Sequence, residues 1–231
     1  TLFLIPNSLG NDDPDQFLPA SERKLIPEIR HFIVENARNA RRYLKKIDPS
    51  IDIDRLHFYL LNKHTAPGEI PSYLSPLQKG EHVGMISEAG VPGVADPGAI
   101  VVQLAHEKHL RVKPLTGPSS LLLALMGSGM NGQAFRFVGY LPVKRPDRAQ
   151  AIKQLENRAR KTGETQLFIE TPYRNEALLD DILTHCRPDT RLCIAVDLTL
   201  ETEQVSTQTT GQWKKKKPAL HKRPAVFLIG G

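Results

Sequence analysis

Ser87-Glu88-Ala89-Gly90-Val91-Pro92-Gly93-Val94-Ala95-Asp96-Pro97-Gly98 is the stretch on which the fold turns. An apolar run over 82–87 leads into it and a helical pattern over 97–109 leads out. Strand, glycine-rich loop and helix in that order put the loop just outside the carboxyl end of a buried strand, where open α/β sheets bind their ligands. Gly90, Gly93 and Gly98 permit close approaches and backbone conformations closed to other residues, while Pro92 and Pro97 stiffen the loop before any ligand arrives. The loop matches neither G-x-G-x-x-G nor the P-loop pattern. Glu88 and Asp96 are acceptors, which suit a cationic or hydroxyl-bearing ligand better than a bare phosphate.

Outward from this loop, the first half alternates short apolar runs with helical periodicity. Strands are predicted over 2–5, 31–34, 56–61 and 111–115, and a helix over 36–47 with Ala37, Ala40, Leu44 and Ile47 on one stripe. Such alternation predicts a mostly parallel sheet covered on both faces. Thr116-Gly117-Pro118-Ser119-Ser120 interrupts the chain ahead of an apolar helix over 121–126. The boundary is placed there, giving an N-terminal α/β domain over 1–115 and a C-terminal one over 116–231. In the second half strands are predicted over 135–139, 165–170, 192–198, about 204–209 and 225–229, with helices over 147–162 and 175–185. Only 199–203 separates two of these strands, which reads as an antiparallel hairpin, so a mixed sheet is expected.

Composition narrows the function classes. The 231 residues are 40% hydrophobic and 24% charged, as in globular domains, and no apolar run is long enough to span a bilayer. The 2–5 run is too short for the core of a signal peptide. Cys186 and Cys193 can build neither a disulfide framework nor a four-thiolate zinc site, and the eight histidines show no ligand spacing, so no metal is expected. These features predict a soluble protein of a reducing compartment, the cytoplasm. The net charge of +6 is local, because Lys214, Lys215, Lys216, Lys217, Lys222 and Arg223 supply six cations with no acid among 213–224. A tetralysine run before Pro218 reads as a solvated loop or as a patch for phosphate. Arg38, Arg41, Arg42, Lys45 and Lys46 cluster on adjoining faces of the 36–47 helix, either a solvated face or a surface that tracks phosphates.

Six motifs, in order along nearly the whole chain, have counterparts in a known family. Ile5-Pro6-Asn7-Ser8-Leu9-Gly10-Asn11 resembles an opening P-T-P-I-G-N, with Asn7-Ser8-Leu9 in place of T-P-I. The 87–98 loop resembles S-D-A-G-T-P-G-I-S-D-P-G, and Gly117-Pro118-Ser119-Ser120 resembles G-P-S-A. Phe137-Val138-Gly139-Tyr140-Leu141-Pro142 resembles F-x-G-F-L-P, Phe168-Ile169-Glu170-Thr171-Pro172-Tyr173-Arg174 resembles F-Y-E-S-P-H-R, and Ala195-Val196-Asp197-Leu198-Thr199 resembles A-R-E-L-T. Glu35-Asn36-Ala37-Arg38 departs from E-D-T-R, keeping the outer residues and losing the second carboxylate and the hydroxyl. The family they resemble is the tetrapyrrole methylase superfamily of S-adenosylmethionine (SAM)-dependent methyltransferases. Within it, the chain is most similar to the branch that 2′-O-methylates a cytidine of small-subunit ribosomal RNA.

That resemblance implies two α/β domains with a SAM cleft between them, and a homodimer. Carried over by position, it implies cofactor contacts at Pro6, Ser87, Glu88, Ala89, Gly90, Val91, Pro92, Gly93, Asp96, Ser119, Ser120, Ile169, Glu170, Thr171, Asp197 and Leu198. Catalytic roles fall on Glu35, Arg38, Glu170 and Arg174. A hydroxyl acceptor needs a general base, for which Glu35, Glu88, Asp96 and Glu170 are the candidates. The implied activity is methyl transfer from SAM to ribose in ribosomal RNA, with that RNA or the small ribosomal subunit as partner. The alternatives are a tetrapyrrole or other small-molecule acceptor, and a non-catalytic relative that only binds SAM.

Overall fold

The computed structural model describes residues 1–11 and 13–230; Gly231, the last position of the expected second domain, lies outside them. The chain divides into two compact units, Thr1–Ser119 and Ser120–Gly231.

The first unit runs β1 (Leu2–Ile5), α1 (Ala20–Arg23), β2 (His31–Val34), α2 (Ala37–Ile47), β3 (His57–Leu60), α3 (Ser75–Gln78), β4 (Val83–Ile86), α4 (Ala99–Glu107) and β5 (Val112–Pro114). The strands form one sheet in the order β3-β2-β4-β1-β5, and every pair is parallel. β1 and β4 are buried from end to end, as strands covered on both faces must be. Side-chain alternation splits the core between the two faces. Phe3, Ile5, Phe32, Val34 and Ile86 pack with Ala40, Tyr43, Leu44 and Ile47 of α2. Leu2, Leu4, Ile33, Val83 and Met85 pack on the other side with Val101 and Ala105 of α4. Gly84 is demanded by the α2-side layer, since a Cβ there would stand 2.7 Å from Ile5 Cδ1 and 2.9 Å from the Phe32 ring.

The second unit runs α5 (Ser120–Ser128), β6 (Phe135–Tyr140), α6 (Arg145–Thr162), β7 (Thr165–Ile169), α7 (Asn175–His185), β8 (Arg191–Val196), β9 (Gln204–Thr209), α8 (Thr210–Lys215) and β10 (Ala225–Gly230). Its sheet is mixed, in the order β6-β7-β10-β8-β9; β6 and β7 are parallel and the other pairs antiparallel. β10 is buried throughout, and Phe227 stacks on Phe168 of β7 at 5.9 Å between ring centroids. Ile152 and Leu155 of α6 and Leu178, Leu179 and Ile182 of α7 share that core.

Several element ends shift by one or two residues from the sequence expectations, and two local differences have a clear cause. The helix expected over 97–109 begins only at Ala99, because Asp96 turns back to accept from the Gly98 amide and holds 96–98 in the loop. The lysine run, expected to be loop, starts as helix: Lys214 and Lys215 close α8. A capping box between Thr209 and Gln212 starts that helix, and buried Trp213, whose Nε1 donates to the Leu192 carbonyl at 2.9 Å, anchors it.

Candidate functional site

In the first unit, three loops that leave the carboxyl ends of β1, β4 and β5 are fastened to one another. Asn7 and Gly90 exchange backbone hydrogen bonds of 2.8 and 3.2 Å. The Asn7 side-chain amide donates to the carbonyls of Ser87 at 3.0 Å and Glu88 at 3.1 Å. Gly117 presses so closely on Pro6 that a Cβ there would lie 2.3 Å from the proline ring. Gly90 takes φ +68°, and a side chain there would reach toward Leu9 and the Pro118 carbonyl as well. Within the middle loop, Ser87 Oγ donates to the Gly90 carbonyl at 2.8 Å, and Asp96 Oδ1 accepts from the Gly93 and Gly98 amides at 2.8 Å each. Tyr43 of α2 donates its hydroxyl to the Pro6 carbonyl at 2.7 Å, so the helix grips the first loop. Pro6, Ser87, Gly90 and Pro92 are buried, Val91, Gly93, Asp96 and Ser119 partly so, and Glu88 and Ala89 exposed.

Three of the four candidate bases gather in this unit. Burial raises the Glu35 carboxyl above its ordinary value, and the charges of Asp96 and Glu88 add to the rise; the Glu88 amide opposes it. Asp96 is also raised by burial, against the pull of its two amide donors. One Glu88 oxygen accepts from Asn39 Nδ2 at 2.5 Å. Glu35, Asp96 and Gly98 line a narrow apolar crevice with Val34, Leu61 and Met85. Asn36 is the N-cap of α2, accepting from the amides of Arg38 at 2.9 Å and Asn39 at 3.2 Å. Asparagine thereby does the capping that an aspartate in E-D-T-R would do. Arg38 is exposed, and among the described residues no ion pair joins it to Glu35.

In the second unit, Glu170 and Arg174 do pair. The Glu170 side chain is 1% exposed, and its Oε1 accepts from Arg174 Nη2 and the Thr171 amide, both at 2.6 Å. Burial pushes this carboxyl up, but the guanidinium and the amide together outweigh it and hold the group below the usual carboxylate range. Glu170 Oε2, Arg174 Nε and Thr199 Oγ1 are buried without a hydrogen-bond partner. Asp197 and Thr199 take φ +50° and +73° in the turn after β8, and a β-branched residue there is a genuine outlier. Asp197 Oδ2 accepts from Arg223 Nε at 2.7 Å and Thr202 Oγ1 at 2.8 Å. Arg223, expected as one cation of a loose cluster, is thus pinned, and it also bonds the carbonyls of Ala219 and Thr202. Leu198 is buried, and Ile169, Thr171 and Ser120 are partly so.

Sequence reasoning passed over Asn7, Tyr43, Asn39, Thr199 and Arg223 as site-building residues. The signal for Asn7 lay in its being the point of departure from P-T-P-I-G-N, where a side-chain amide replaces a hydroxyl. Among the described residues no group of His, Cys, Asp and Glu is arranged to hold a metal ion, and no helix is long and apolar enough to cross a membrane.

Residues 58–213 match the family described as Tetrapyrrole (Corrin/Porphyrin) Methylases. A protein of Leptospira borgpetersenii serovar Hardjo-bovis named ribosomal RNA small subunit methyltransferase I is 32% identical over 99% of this chain and 87% of its own length. Like-named proteins of Micromonospora olivasterospora and Escherichia coli O157:H7 are 33% and 26% identical over 88% and 100% of this chain. The chain spans 61% of the Micromonospora protein and 77% of the Escherichia one. Among solved structures, the methyltransferase CobJ superposes with a TM-score of 0.64 at 14% identity, over 100% of this chain and 93% of its own. Uroporphyrin-III C-methyltransferase from Thermus thermophilus, complexed with S-adenosylhomocysteine, gives 0.56 at 18% identity over 99% of this chain and 96% of its own. These structural likenesses concern the fold. Matched over most of its length and a third identical to a nearly full-length relative, the chain belongs to the tetrapyrrole (corrin/porphyrin) methylase family.

Proposed function

We propose that the protein is a cytoplasmic, homodimeric SAM-dependent methyltransferase that methylates a ribose 2′-oxygen of small-subunit ribosomal RNA. The observation that carries this reading is the set of strand-end loops fastened through Asn7, Gly90 and Gly117, in a chain whose relatives are named for small-subunit ribosomal RNA methylation.

The residues suit such a cofactor. Pro6, Ser87, Glu88, Ala89, Gly90, Val91, Pro92, Gly93, Asp96 and Ser119 belong to loops whose backbone is held before a ligand arrives. In the second unit Ser120, Ile169, Glu170, Thr171, Asp197 and Leu198 are assigned to the same ligand. The buried, unpartnered Glu170 Oε2 leaves an acceptor for a ligand hydroxyl or ammonium group. SAM supplies a methyl group already made electrophilic by its sulfonium. The chain's own residues have to orient the acceptor, exclude water and take up the hydroxyl proton. Glu35 is assigned that proton, because burial and two neighbouring carboxylates raise its proton affinity. Glu170 is assigned a positioning role at the end of β7, since Arg174 keeps it ionised. Arg38, exposed on the first turn of α2, is assigned to the acceptor.

The test is methyl transfer from labelled SAM to undermethylated small ribosomal subunits. Label on ribose 2′-oxygens is expected, falling by roughly 10²–10⁴-fold in Glu35→Gln, with SAM affinity by calorimetry unchanged. Label recovered on bases would overturn the ribose assignment, and label on a tetrapyrrole alone would move the acceptor. SAM binding with no transfer to any acceptor would leave a non-catalytic binder. Sedimentation of the purified chain as a monomer would remove the dimer.

A further inference from the structure

Two tyrosines stand out on the surface of the second unit. Tyr140, the last residue of β6, is 58% exposed, and Tyr173, in the loop between β7 and α7, is 74% exposed. The parallel β6–β7 pairing brings both to the same end of the sheet. Tyr140 pairs with Ile169 there, and its hydroxyl lies within electrostatic reach of the Arg174 guanidinium, itself 42% exposed. Lys222 Nζ stands over the Tyr173 ring, 6.0 Å from its centroid. The segment that carries this lysine is tied down. The Lys222 amide donates to the Pro172 carbonyl at 3.2 Å, Asn175 Nδ2 donates to the Arg223 carbonyl at 2.7 Å, and Arg223 is held by Asp197. Lys222 itself takes φ +59°, in the left-handed region that a lysine seldom adopts.

The make-up of this surface is selective. Segments 140–145, 171–174 and 219–223 carry Lys144, Arg145, Arg174, Lys222 and Arg223 and no acid. Glu170 answers Arg174 and Asp197 answers Arg223, while Lys144, Arg145 and Lys222 are exposed. A second copy of the chain docked on the same face would set these cations against one another. Single exposed rings are ordinary on a surface, but two rings grouped with cations at one sheet end are not scattered. A flat aromatic partner covers a tyrosine face and leaves its hydroxyl in water. An unpaired nucleotide supplies both halves of what this surface lacks, a base to lie on a ring and a phosphate for the cations. Arg174, next to Tyr173 in the chain, bonds Glu170, so a base stacked here lies beside a residue assigned above to the methyl donor.

We infer that Tyr173 and Tyr140 form a stacking platform for unpaired bases of the acceptor RNA, with Lys222 on an adjoining phosphate. The inference rests on the proposed RNA reading and adds to it the surface that holds the strand. The test is binding of a fluorescent, unstructured oligoribonucleotide over a range of salt by the wild type and by Tyr173→Ala, Tyr173→Phe, Tyr140→Ala and Lys222→Gln. Loss of either ring is expected to weaken binding by roughly 5–150-fold at every salt concentration. The slope of log affinity against log salt should stay at the wild-type value in both, because stacking removes no phosphate contact. Tyr173→Phe keeps the ring and should bind as the wild type does. Lys222→Gln should instead lower the slope by about 0.7, the contribution of one phosphate contact on a single strand. SAM affinity and melting temperature should be unchanged throughout, since each replaced side chain is exposed. Wild-type affinity in both Ala variants would overturn the platform while leaving RNA binding by the protein intact, and an equal loss in Tyr173→Phe would overturn stacking. A wild type that binds SAM but no RNA would overturn the platform and the RNA reading together.

Discussion

Asn7 joins two loops that are 80 residues apart in sequence through its side-chain amide, which donates to both carbonyls, while its Oδ1 accepts from the adjacent Ser8 amide within its own loop. Asn7→Ala leaves the carbonyls of Ser87 and Glu88 without that donor, and is expected to cost about 1–3 kcal/mol in urea unfolding. Asn7→Asp should cost more, since it turns a carboxylate toward two carbonyl oxygens. Two glutamates behave oppositely with pH. Glu35 has a raised value in the folded protein, so its ionisation opposes folding, and Glu35→Gln should melt higher than wild type near neutral pH. That advantage should fade as pH falls below the ordinary carboxylate value and wild-type Glu35 is protonated in both states. Glu170 has a lowered value, so Glu170→Gln should melt lower near neutral pH, and the deficit should shrink as pH falls through the depressed folded value. Calorimetric melting of both variants between about pH 7 and pH 3 reads the two signs. At this scale the sequence named the special residues of the 87–98 loop, because glycine and proline betray backbone demands by themselves. It did not name Asn7 or Arg223, whose work depends on partners that only the fold brings near.

Among the elements, β1, β2 and α7 have the bounds their apolar patterns predict, because each is ended by a residue with a clear local preference or loses its pattern abruptly. α8 was missed, since four lysines outweigh one buried tryptophan in any reading of composition. α2 shows how a motif can change while an element keeps its start. Asn36→Ala should destabilise the protein by about 1 kcal/mol, and Asn36→Asp by little or nothing, in the same unfolding assay. The parallel sheet is less forgiving at its middle. Gly84→Ala would push a methyl group into Ile5 and Phe32, an overpacking expected to cost about 1–3 kcal/mol.

For the whole molecule, two α/β units with one parallel and one mixed sheet could be read from the alternation of strands and helices. Strand order could not, because periodicity says which residues are buried but not which strands are neighbours. Ligand binding provides a test at this scale: SAM at about 100 times its dissociation constant should add roughly 2.7 kcal/mol to the folded state. For a chain of this length the melting temperature should rise on the order of 5–10 °C in a thermal-shift scan. The position of β10 has a further consequence, during synthesis. It fills the gap between β7 and β8, so the nascent β6–β7 pair and the β8–β9 hairpin have no shared neighbour until residues 225–230 have been made. At about 5–20 residues per second, the interval between the end of β8 and the completion of β10 is a few seconds. For those seconds β7 and β8 each present an apolar, unpaired edge, and a chain stalled there would be a substrate for chaperones or a seed for aggregation.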